Sequence, residues 1–410
     1  MKFTIITLGC KVNAYESNYI KESLLNNGFS FCNEISKADI VIVNTCSVTD
    51  TSDKKSYKLI RRIKRENPEA ILVVCGCSSQ NNFAKYQNMG INILLGNVQK
   101  SAICNLIQNY LKDHQNYEYH TIKRDLPFEN MAIKSFDHVR AYIKVQDGCN
   151  NFCSYCVIPY VRGDIRAKDF NLVIKEARDL INQGFQEIVL TGIHTGSYND
   201  HGHDLSDLIS AITQIEGLKR LRISSIEITE LNDKFLNLLA SDKIICDHMH
   251  IPLQSGSDEI LKKMNRKYDT HYYEEKINQI RKIRPNISIT TDVIVGFNYE
   301  TDELFAETYA FCQKMAFAKI HVFPFSVRSG TAASFMDHAV DEKEKKLRSQ
   351  KLIELSDQLE LAYYNEFKGK LMDVLIESVK DGQSIGHTSN YLKVVLDEEL
   401  EVNKIYQRKI

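Results

Sequence analysis

The 410-residue sequence has no marked excess of either charge and no long hydrophobic run. Its 52 Lys and Arg residues nearly balance 53 Asp and Glu residues, and the formal net charge is −1. This balance excludes a chain that is basic throughout, so any nucleic-acid site must be a local patch. The longest apolar runs, such as residues 71–75 and 188–190, are far too short for a membrane span, and we expect no transmembrane helix.

The sequence also lacks a convincing secretion signal. Leu8, Gly9 and Cys10 resemble the end of a lipobox, but only one Lys and a short stretch containing two Thr precede them. We therefore expect a cytoplasmic protein. Its eleven cysteines cannot all pair with one another, and in such a chain they are more often ligands or reactive thiols than disulfides.

Three thiols are concentrated in one short segment as a C-x3-C-x2-C group, at Cys149, Cys153 and Cys156. No fourth cysteine follows at the short spacing of a bacterial ferredoxin, so three thiolates would hold three irons of a 4Fe-4S cube and leave one iron open. The alternatives are a chance cluster and a zinc knuckle. Structural zinc, however, needs a fourth ligand within tetrahedral reach and usually paired C-x2-C hooks.

Strand and helix patterns alternate in the first part of the chain. The predicted strands are 3–7, 39–44, 71–75 and 91–95. The predicted helices are 15–27, 52–66, 82–89 and 100–112. This alternation predicts an α/β fold with a doubly wound parallel sheet, in which ligands bind beyond the carboxyl ends of the strands.

One cysteine closely follows each of the first three predicted strands, at Cys10, Cys46 and Cys77. Because those strand ends share one sheet edge, we expect the thiols to lie together and to hold a second iron-sulfur cluster, again with an open iron. A lone cysteine is more often a small buried hydrophobe. We interpret the other cysteines of this region in that way: Cys32, Cys75 and Cys104.

A second alternating series follows a stretch of mixed polarity at 117–138, which we interpret as a linker. Its six predicted strands are 141–145, 187–191, 220–224, 248–251, 288–295 and 319–323. Six β/α units predict a central partial barrel, (β/α)6, whose site is lined by residues at the carboxyl ends of the strands. The candidates are Thr191, Gly192, Ser224, Glu227 and Gln254, although each is equally well explained as a turn or cap residue.

Three other features each allow two interpretations. His194 at a strand end is more often a satisfied histidine than a catalyst. Arg162 and Arg166 either clamp a phosphate or pair with carboxylates. The helix at 52–66, with Leu59 and Ile63 as its buried stripe, carries a basic face that either binds nucleic acid or is only solvated. Its cations are Lys54, Lys55, Lys58, Arg61, Arg62, Lys64 and Arg65.

The C-terminal part begins with a charged helical pattern at 341–366, which we interpret as a connector. Short strands are predicted at 371–377, 391–396 and 400–406, with glycines at the turns. They indicate a small β-barrel over 367–410. This barrel either binds RNA or acts as a structural cap, and its balanced charges weaken the RNA interpretation.

The segment at 149–156, with Tyr155 before the last cysteine, closely resembles the signature of radical S-adenosylmethionine (SAM) enzymes. The resemblance implies that the open iron chelates the amino and carboxylate groups of SAM. An electron from the cluster then breaks the bond between the sulfonium and the 5′ carbon. By the same resemblance the cofactor-binding residues are Tyr155, Thr191, Gly192, Ser224, Glu227 and Gln254.

Residues 7–13, 44–49, 75–80 and 96–97 resemble the N-terminal domain of the methylthiotransferases, which implies an auxiliary 4Fe-4S cluster on Cys10, Cys46 and Cys77. Cys75 and Ser78 depart from the usual third motif, and Cys75 is a competitor of Cys77. The C-terminal barrel resembles the RNA-binding TRAM domain. The implied domains are 1–116, the linker 117–138, a radical SAM core at 139–340, the connector 341–366 and a TRAM-like domain at 367–410.

The family's chemistry implies that a thiomethyl group held at the auxiliary cluster is added to an unreactive C–H position through a 5′-deoxyadenosyl radical, with two SAM per product. Residues 7–13 resemble the branch that modifies C2 of N6-threonylcarbamoyladenosine at position 37 of tRNA. The alternatives are isopentenyladenosine tRNA, a ribosomal protein, a different radical SAM reaction and a non-catalytic iron-sulfur RNA-binding protein. The expected partners are the tRNA anticodon stem-loop and an electron donor of the flavodoxin or ferredoxin type, with no membrane and no identifiable sulfur donor.

Overall fold

The structure of the chain is a computed structural model that describes residues 1–47, 49–121 and 123–410. Val48, within the motif at 44–49, and Ile122, within the expected linker, lie outside the described residues. No helix among the described residues is both long and apolar enough to cross a membrane.

Among the residues that the structure describes, the N-terminal part contains six parallel strands and five α-helices. The strands are β1 Lys2–Thr7, β2 Ser30–Phe31, β3 Ile40–Thr45, β4 Ile71–Gly76, β5 Ile93–Leu95 and β6 Tyr117–Tyr119. The helices are α1 Lys11–Asn26, α2 Asp50–Glu66, α3 Cys77–Asn81, α4 Phe83–Gln87 and α5 Ile103–Asp113.

The sheet has the strand order β2-β1-β3-β4-β5-β6. The strands β3 and β4 are continuous apolar runs that are buried on both faces, as central parallel strands must be. One face packs against α1 and α5 through residues such as Leu24 and Ile107, and the other packs against α2 through Ile60 and Ile63. The predicted parallel sheet with helices on both sides is therefore confirmed.

Two strands of this sheet were not predicted. Ser30–Phe31 has only two residues, and Tyr117–Tyr119 belongs to the stretch interpreted as a linker. Both are edge strands with partly exposed side chains, so neither carries the apolar run by which the inner strands are recognised.

The central part contains a second set of parallel strands with helices between them. The main strands are β7 Arg140–Lys144, β10 Glu187–Thr191, β13 Arg220–Ile223, β14 His248–His250, β15 Ser288–Val295 and β16 Lys319–Pro324. Short pairs are formed by β8 Gln146–Asp147 with β9 Arg166–Ala167, and by β11 Asn199–Asp200 with β12 His203–Asp204. The helices are α6 Ile158–Arg162, α7 Phe170–Asn182, α8 Leu205–Thr213, α9 Asp233–Ser241, α10 Asp258–Lys263, α11 Thr270–Ile283 and α12 Asp302–Met315.

The six main strands form two parallel sheets, β7-β10-β13 and β14-β15-β16. Single parallel bridges, such as the one between Ser225 and His250, join the two sheets. Side chains alternate along β7: Ala141 and Ile143 pack into the core, whereas Arg140 and Tyr142 line a solvent-accessible cavity of about 920 Å³, here called the central cavity.

The C-terminal part closes one end of the central cavity. It consists of α13 Glu342–Phe367 and the antiparallel strands β17 Leu371–Lys380, β18 Gln383–Thr388, β19 Lys393–Leu396 and β20 Ile405–Lys409, in the order β19-β18-β17-β20. The strand β18 was not predicted, because its glycine and polar residues do not show a clear alternation. Arg220 at the start of β13 donates to the carbonyls of His387 and Asp373, at 3.0 and 2.6 Å, and so ties this sheet to the cavity.

Candidate active site

The first group of candidate cysteines lies at one edge of the N-terminal sheet. The register pairs Thr7 of β1 with Asn44 of β3, and β4 ends level with β3, so all three strands end together. One thiol follows each of these ends: Cys10, Cys46 and Cys77. The structure therefore brings the three predicted residues to one edge.

Gly9 determines how closely two of these segments approach. Its φ is +105°, and a Cβ at this position would lie 2.7 Å from both Cβ and Sγ of Cys46. Only glycine combines that conformation with that contact. The remaining thiol nearby, Cys75, is fully buried in the sheet core, where burial raises its pKa to about 12. It lies inside β4 and not at the edge with the others.

The second group lies on the loop between β8 and α6. The Sγ of Cys149 is 3.9 Å from Nδ1 of His194, and Arg266 donates to Sγ of Cys153 at 3.2 Å. Burial and the neighbouring thiol of Cys153 raise the pKa of Cys156 to about 12. The three thiols are thus neighbours, with a histidine and a guanidinium beside them.

The two groups are adjacent in space. Cys77 packs against Val157 and Val161, and Val157 directly follows Cys156. Asn97, from the loop after β5, donates to the carbonyl of Val161 at 2.8 Å. The helices α3 and α6 therefore join the two thiol groups across the boundary between the N-terminal and central parts.

A buried arginine reinforces this boundary. Arg162, at the end of α6, donates to Glu16 and Asp147 at 3.1 Å, to Asn13 at 2.9 Å and to Sγ of Cys77 at 3.3 Å. Its side chain is fully buried. Of the two interpretations offered for Arg162, pairing with carboxylates is the one that the structure shows.

The surrounding ion pairs carry a surplus of positive charge. Glu16 also pairs with Lys100 at 2.5 Å and with Lys144 at 2.8 Å, and Asp147 pairs with Lys144 at 2.7 Å and with Arg166 at 3.2 Å. Burial alone would raise the pKa of Glu16, but the cations outweigh it and hold that pKa below its usual range. Two carboxylates thus face four cations, namely Lys100, Lys144, Arg162 and Arg166.

This surplus bears on whether the N-terminal thiols fit an iron-sulfur cluster. Buried cations need nearby anions, and Arg162 lies close to both Cys77 and Cys10. Cysteines that hold a cluster do so as thiolates, which would supply the missing negative charge at this edge. Within the described ranges, no three Cys, His, Asp or Glu side chains converge on one metal ion. A cube whose irons each take one thiolate does not require such convergence, and three thiols are the donors that such a cube takes.

Two of the candidate cofactor-binding residues follow β10. Thr191 is buried at the end of the strand, and a Cβ on Gly192 would lie 3.0 Å from Oε1 of Gln146. That oxygen accepts hydrogen bonds from the backbone of Ile193 and His194, at 3.0 and 2.7 Å. Gln146 therefore holds the loop in place, and no local sequence pattern indicated this role.

The third candidate, Ser224, lines the central cavity and lies 3.2 Å from the hydroxyl of Thr195. Glu227 forms an ion pair with Arg266, the same side chain that donates to Cys153. Glu227 is thereby connected to the C-x3-C-x2-C loop. Sequence reasoning missed Arg266, because the contact spans more than one hundred residues and follows no local motif.

His194 is satisfied, as expected. Its Nε2 lies 2.5 Å from Oε1 of Glu230, while its other nitrogen faces Cys149.

The last two candidates, Tyr155 and Gln254, line a smaller cavity of about 180 Å³ together with Cys156. Asp292 and Phe323 belong to the walls of both this cavity and the central one. The two spaces therefore meet beside the C-x3-C-x2-C loop. A small molecule bound in the smaller cavity would lie beside Cys156 and next to the central cavity.

The helix α2 presents most of its predicted cations on its exposed side. Three of its cations pair within the helix: Lys54 with Asp50 at 2.6 Å, Arg62 with Glu66 at 2.8 Å and Arg65 with Glu66 at 4.0 Å. The buried stripe differs from the prediction. It consists of Asp53, Ser56, Ile60 and Ile63, and Leu59 is only half-buried. Asp53 faces inward because it pairs with Arg328 of the central part.

Comparison with protein families finds two matches. The Radical SAM superfamily matches residues 143–312, and Uncharacterized protein family UPF0004 matches residues 2–96. Among solved structures, the radical S-adenosylmethionine methyltransferase TsrM from Kitasatospora setae is similar to this chain with a TM-score of 0.58 at 15% identity, covering 78% of this chain and 72% of that one. At that identity the similarity concerns the fold alone.

Curated relatives match nearly the whole chain. The threonylcarbamoyladenosine tRNA methylthiotransferase MtaB of Bacillus subtilis is 40% identical over 98% of this chain and 92% of its own. The tRNA-2-methylthio-N(6)-dimethylallyladenosine synthase of Thermodesulfovibrio yellowstonii is 34% identical over 99% of this chain and 95% of its own. With its radical SAM region and such relatives along its whole length, the chain belongs to the radical SAM methylthiotransferase family.

Proposed function

We propose that this protein adds a methylthio group to C2 of N6-threonylcarbamoyladenosine at position 37 of tRNA. The observation that carries the proposal is the packing of Cys77 against Val157, next to Cys156, which places two three-cysteine groups side by side. A single cluster that cleaves SAM needs only one such group. Several curated relatives, including that of Bacillus subtilis, bear the threonylcarbamoyladenosine name.

In this proposal the loop thiols Cys149, Cys153 and Cys156 hold the cluster that binds SAM. Thiols at the sheet edge, Cys10, Cys46 and Cys77, hold a second cluster. When bound, the clusters and SAM supply electron transfer, radical formation and the thiomethyl group. The chain itself provides ligands, orientation and exclusion of water.

The neighbouring side chains position these groups. Arg266 and His194 contact the loop thiols and hold their orientation, and Arg162 does the same for Cys77. Tyr155 and Gln254 line the small cavity where SAM would lie, and we place its remaining contacts on the residues at the strand ends. These are Thr191, Gly192, Ser224 and Glu227.

We assign the nucleobase to the central cavity. Its volume of about 920 Å³ suits a modified nucleoside, and its wall combines aromatic rings with polar groups, as ligand pockets usually do. Unpaired bases of an anticodon loop can be turned out of their stack into such a pocket. The exposed cations of α2 that have no ion pair in the described ranges, Lys55, Lys58 and Arg61, are candidates for phosphate contacts.

The remaining assignments follow from this activity. We propose the domain bounds 1–116, 139–340 and 367–410, with a (β/α)6 barrel in the centre and a TRAM-like C-terminal unit. The segment 117–138, whose first residues add β6 to the N-terminal sheet, and the segment 341–366 connect them. An electron donor of the flavodoxin or ferredoxin type would reduce the clusters, and the protein would act in the cytoplasm, where its tRNA is found.

The test is mass spectrometry of digested tRNA after anaerobic incubation of the cluster-reconstituted protein with SAM, a reductant, sulfide and threonylcarbamoylated tRNA. A thiomethyl mass increment on that nucleoside is the expected result. Formation of 5′-deoxyadenosine without this product would reject the substrate. The second candidate is then dimethylallyladenosine tRNA, which is favoured by the 34% identity to the Thermodesulfovibrio yellowstonii relative.

A further inference from the structure

The charges on the wall of the central cavity are mostly compensated. Lys319 pairs with Asp357 and Glu360, at 3.2 and 2.5 Å, and His250 lies 3.2 Å from Asp292. Each carboxylate on the described part of the wall thus has a partner: Asp357 and Glu360 have the Lys319 ammonium, and Asp292 has the His250 ring, which is a charge partner only when it is protonated.

The positive charges of the two arginines on the wall are compensated by glutamates that do not line the cavity. Arg140 pairs with Glu377 at 3.2 Å, and Arg222 pairs with Glu187 at 2.7 Å. Both guanidinium groups also lie on the ring of Tyr391, at 5.0 and 4.7 Å from its centroid. They form the closed end of the cavity against the C-terminal sheet.

Two of the wall's histidines add no competing charge at neutral pH. Burial, with Arg222, lowers the pKa of His248 well below its ordinary value, and burial also lowers the pKa of His321. The positive charge of Lys11 contributes to both shifts. Lys11 lines the same cavity as these two histidines, and its side chain is exposed there.

Two ammonium groups remain on the wall, Lys11 and Lys393. Neither side chain has a hydrogen bond or an ion pair among the described residues. They lie at opposite ends: Lys393 is on β19 of the closing sheet, whereas Lys11 begins α1 directly after Cys10. Lys11 is thus the uncompensated cation beside the N-terminal thiols.

The proposed substrate carries one anionic group on its base, the carboxylate of the threonyl moiety. Resting on the proposed function, we infer that Lys11 binds this carboxylate and is the residue that selects a threonylcarbamoyl group over an apolar substituent at N6. A carboxylate bound there completes the ion pair that the wall lacks. The ammonium is exposed in the free protein, and an apolar substituent bound over it would displace water without replacing its hydrogen bonds, which disfavours binding.

The test separates the carboxylate from the rest of the RNA. The probes are two anticodon stem-loop RNAs that differ only at position 37: one carries threonylcarbamoyladenosine and the other its methyl ester. The full-length, cluster-reconstituted protein is titrated with each RNA, and the ratio of the two Kd values is compared among wild type, Lys11→Gln, Lys11→Arg and Lys393→Gln.

The wild type is expected to bind the acid about tenfold to a hundredfold more tightly than the ester, as for a hydrogen bond between charged groups. Lys11→Gln should bind the acid as weakly as the ester and leave ester binding unchanged. Lys11→Arg should restore part of the preference. Lys393→Gln, the matched control for net charge, should keep the wild-type ratio.

Three results would overturn the inference. The first is a wild type that binds the acid and the ester equally. The second is a Lys11→Gln variant with the wild-type Kd for both RNAs, and the third is a Lys11→Gln variant whose Kd for both RNAs rises by the same factor. Iron content measured on each variant shows whether the clusters next to Lys11 are intact. A wild type that forms the thiomethyl product while Lys11→Gln keeps the ratio refutes only this inference, whereas absence of product on threonylcarbamoylated tRNA refutes the proposed function.

Discussion

Replacement of Arg162 by leucine tests the buried ion-pair network between the N-terminal and central parts. The substitution removes the contacts to Glu16, Asp147, Asn13 and Cys77. Breaking a buried ion pair costs about 3–5 kcal/mol, because the partner charge loses its compensation.

Arg162→Leu should cost less than that. Glu16 keeps Lys100 and Lys144, and Asp147 keeps Lys144 and Arg166, so neither carboxylate loses its charge compensation. The loss is in hydrogen bonds to groups that stay buried, such as Oδ1 of Asn13, and an unsatisfied buried acceptor costs about 1–3 kcal/mol. We therefore expect the free energy of unfolding to fall by about 2 kcal/mol, which corresponds to a decrease of about 0.7 M in the urea midpoint if m is near 3 kcal/mol/M.

Urea unfolding of the metal-free chain, followed by far-ultraviolet circular dichroism, measures this loss, since the chain contains no Trp for fluorescence. The control is Arg62→Leu, which removes an exposed arginine paired only with Glu66 and should shift the midpoint far less. Equal midpoints for Arg162→Leu and the control would refute the idea that this network holds the two parts together.

Three further predictions concern the thiols and the acid stability. Gly9→Ala places a Cβ against Cys46 at φ +105° and should reduce iron bound at the N-terminal thiols, whereas Gly28→Ala, with φ +83° and open space around it, should keep wild-type iron content. Alanine at any loop thiol (Cys149, Cys153 or Cys156) should abolish 5′-deoxyadenosine formation. Alanine at a sheet-edge thiol (Cys10, Cys46 or Cys77) should spare some 5′-deoxyadenosine formation and abolish thiomethyl transfer; equal losses of 5′-deoxyadenosine in both groups would contradict this division. Burial would raise the pKa of Glu187, but the ion pair with Arg222 outweighs burial and lowers that pKa. The stabilisation from this ion pair is therefore present above the unfolded-state pKa of about 4.3 and is lost as the pH falls from there through the lower folded-state pKa. Glu187→Gln should therefore lower the urea midpoint clearly at pH 7 and much less near pH 3.5, and an equal effect at both values would argue against the ion pair.

Several features of the candidate site were accessible from local patterns. The runs in β3 and β4 are apolar on both faces, and this pattern indicates inner parallel strands. Cysteines placed just after such strands must lie at one edge, so Cys10, Cys46 and Cys77 were expected together. The spacing of Cys149, Cys153 and Cys156 is local and needed no fold at all.

Other features could not be read from local patterns. The edge strands β2 and β6 lack an apolar run, and β18 lacks a clear alternation. The pairing of Arg162 with Glu16, rather than with a phosphate, depends on two segments separated by more than one hundred residues. The same applies to Arg266 beside Cys153. Gln146, beneath the loop after β10, is 47 residues away from that loop in sequence, which is also beyond any local pattern.

The sequence by itself determined the parallel α/β architecture and the two cysteine groups, because strand periodicity, strand ends and short ligand spacings are properties of neighbouring residues. Only the tertiary structure decided that Cys77 packs beside Val157, that Arg162 is buried among carboxylates, and that Lys11 lines the central cavity with no ion pair to any described residue. Such contacts are set by the packing of distant segments, in which burial and charge compensation select one arrangement among many that the same local patterns allow.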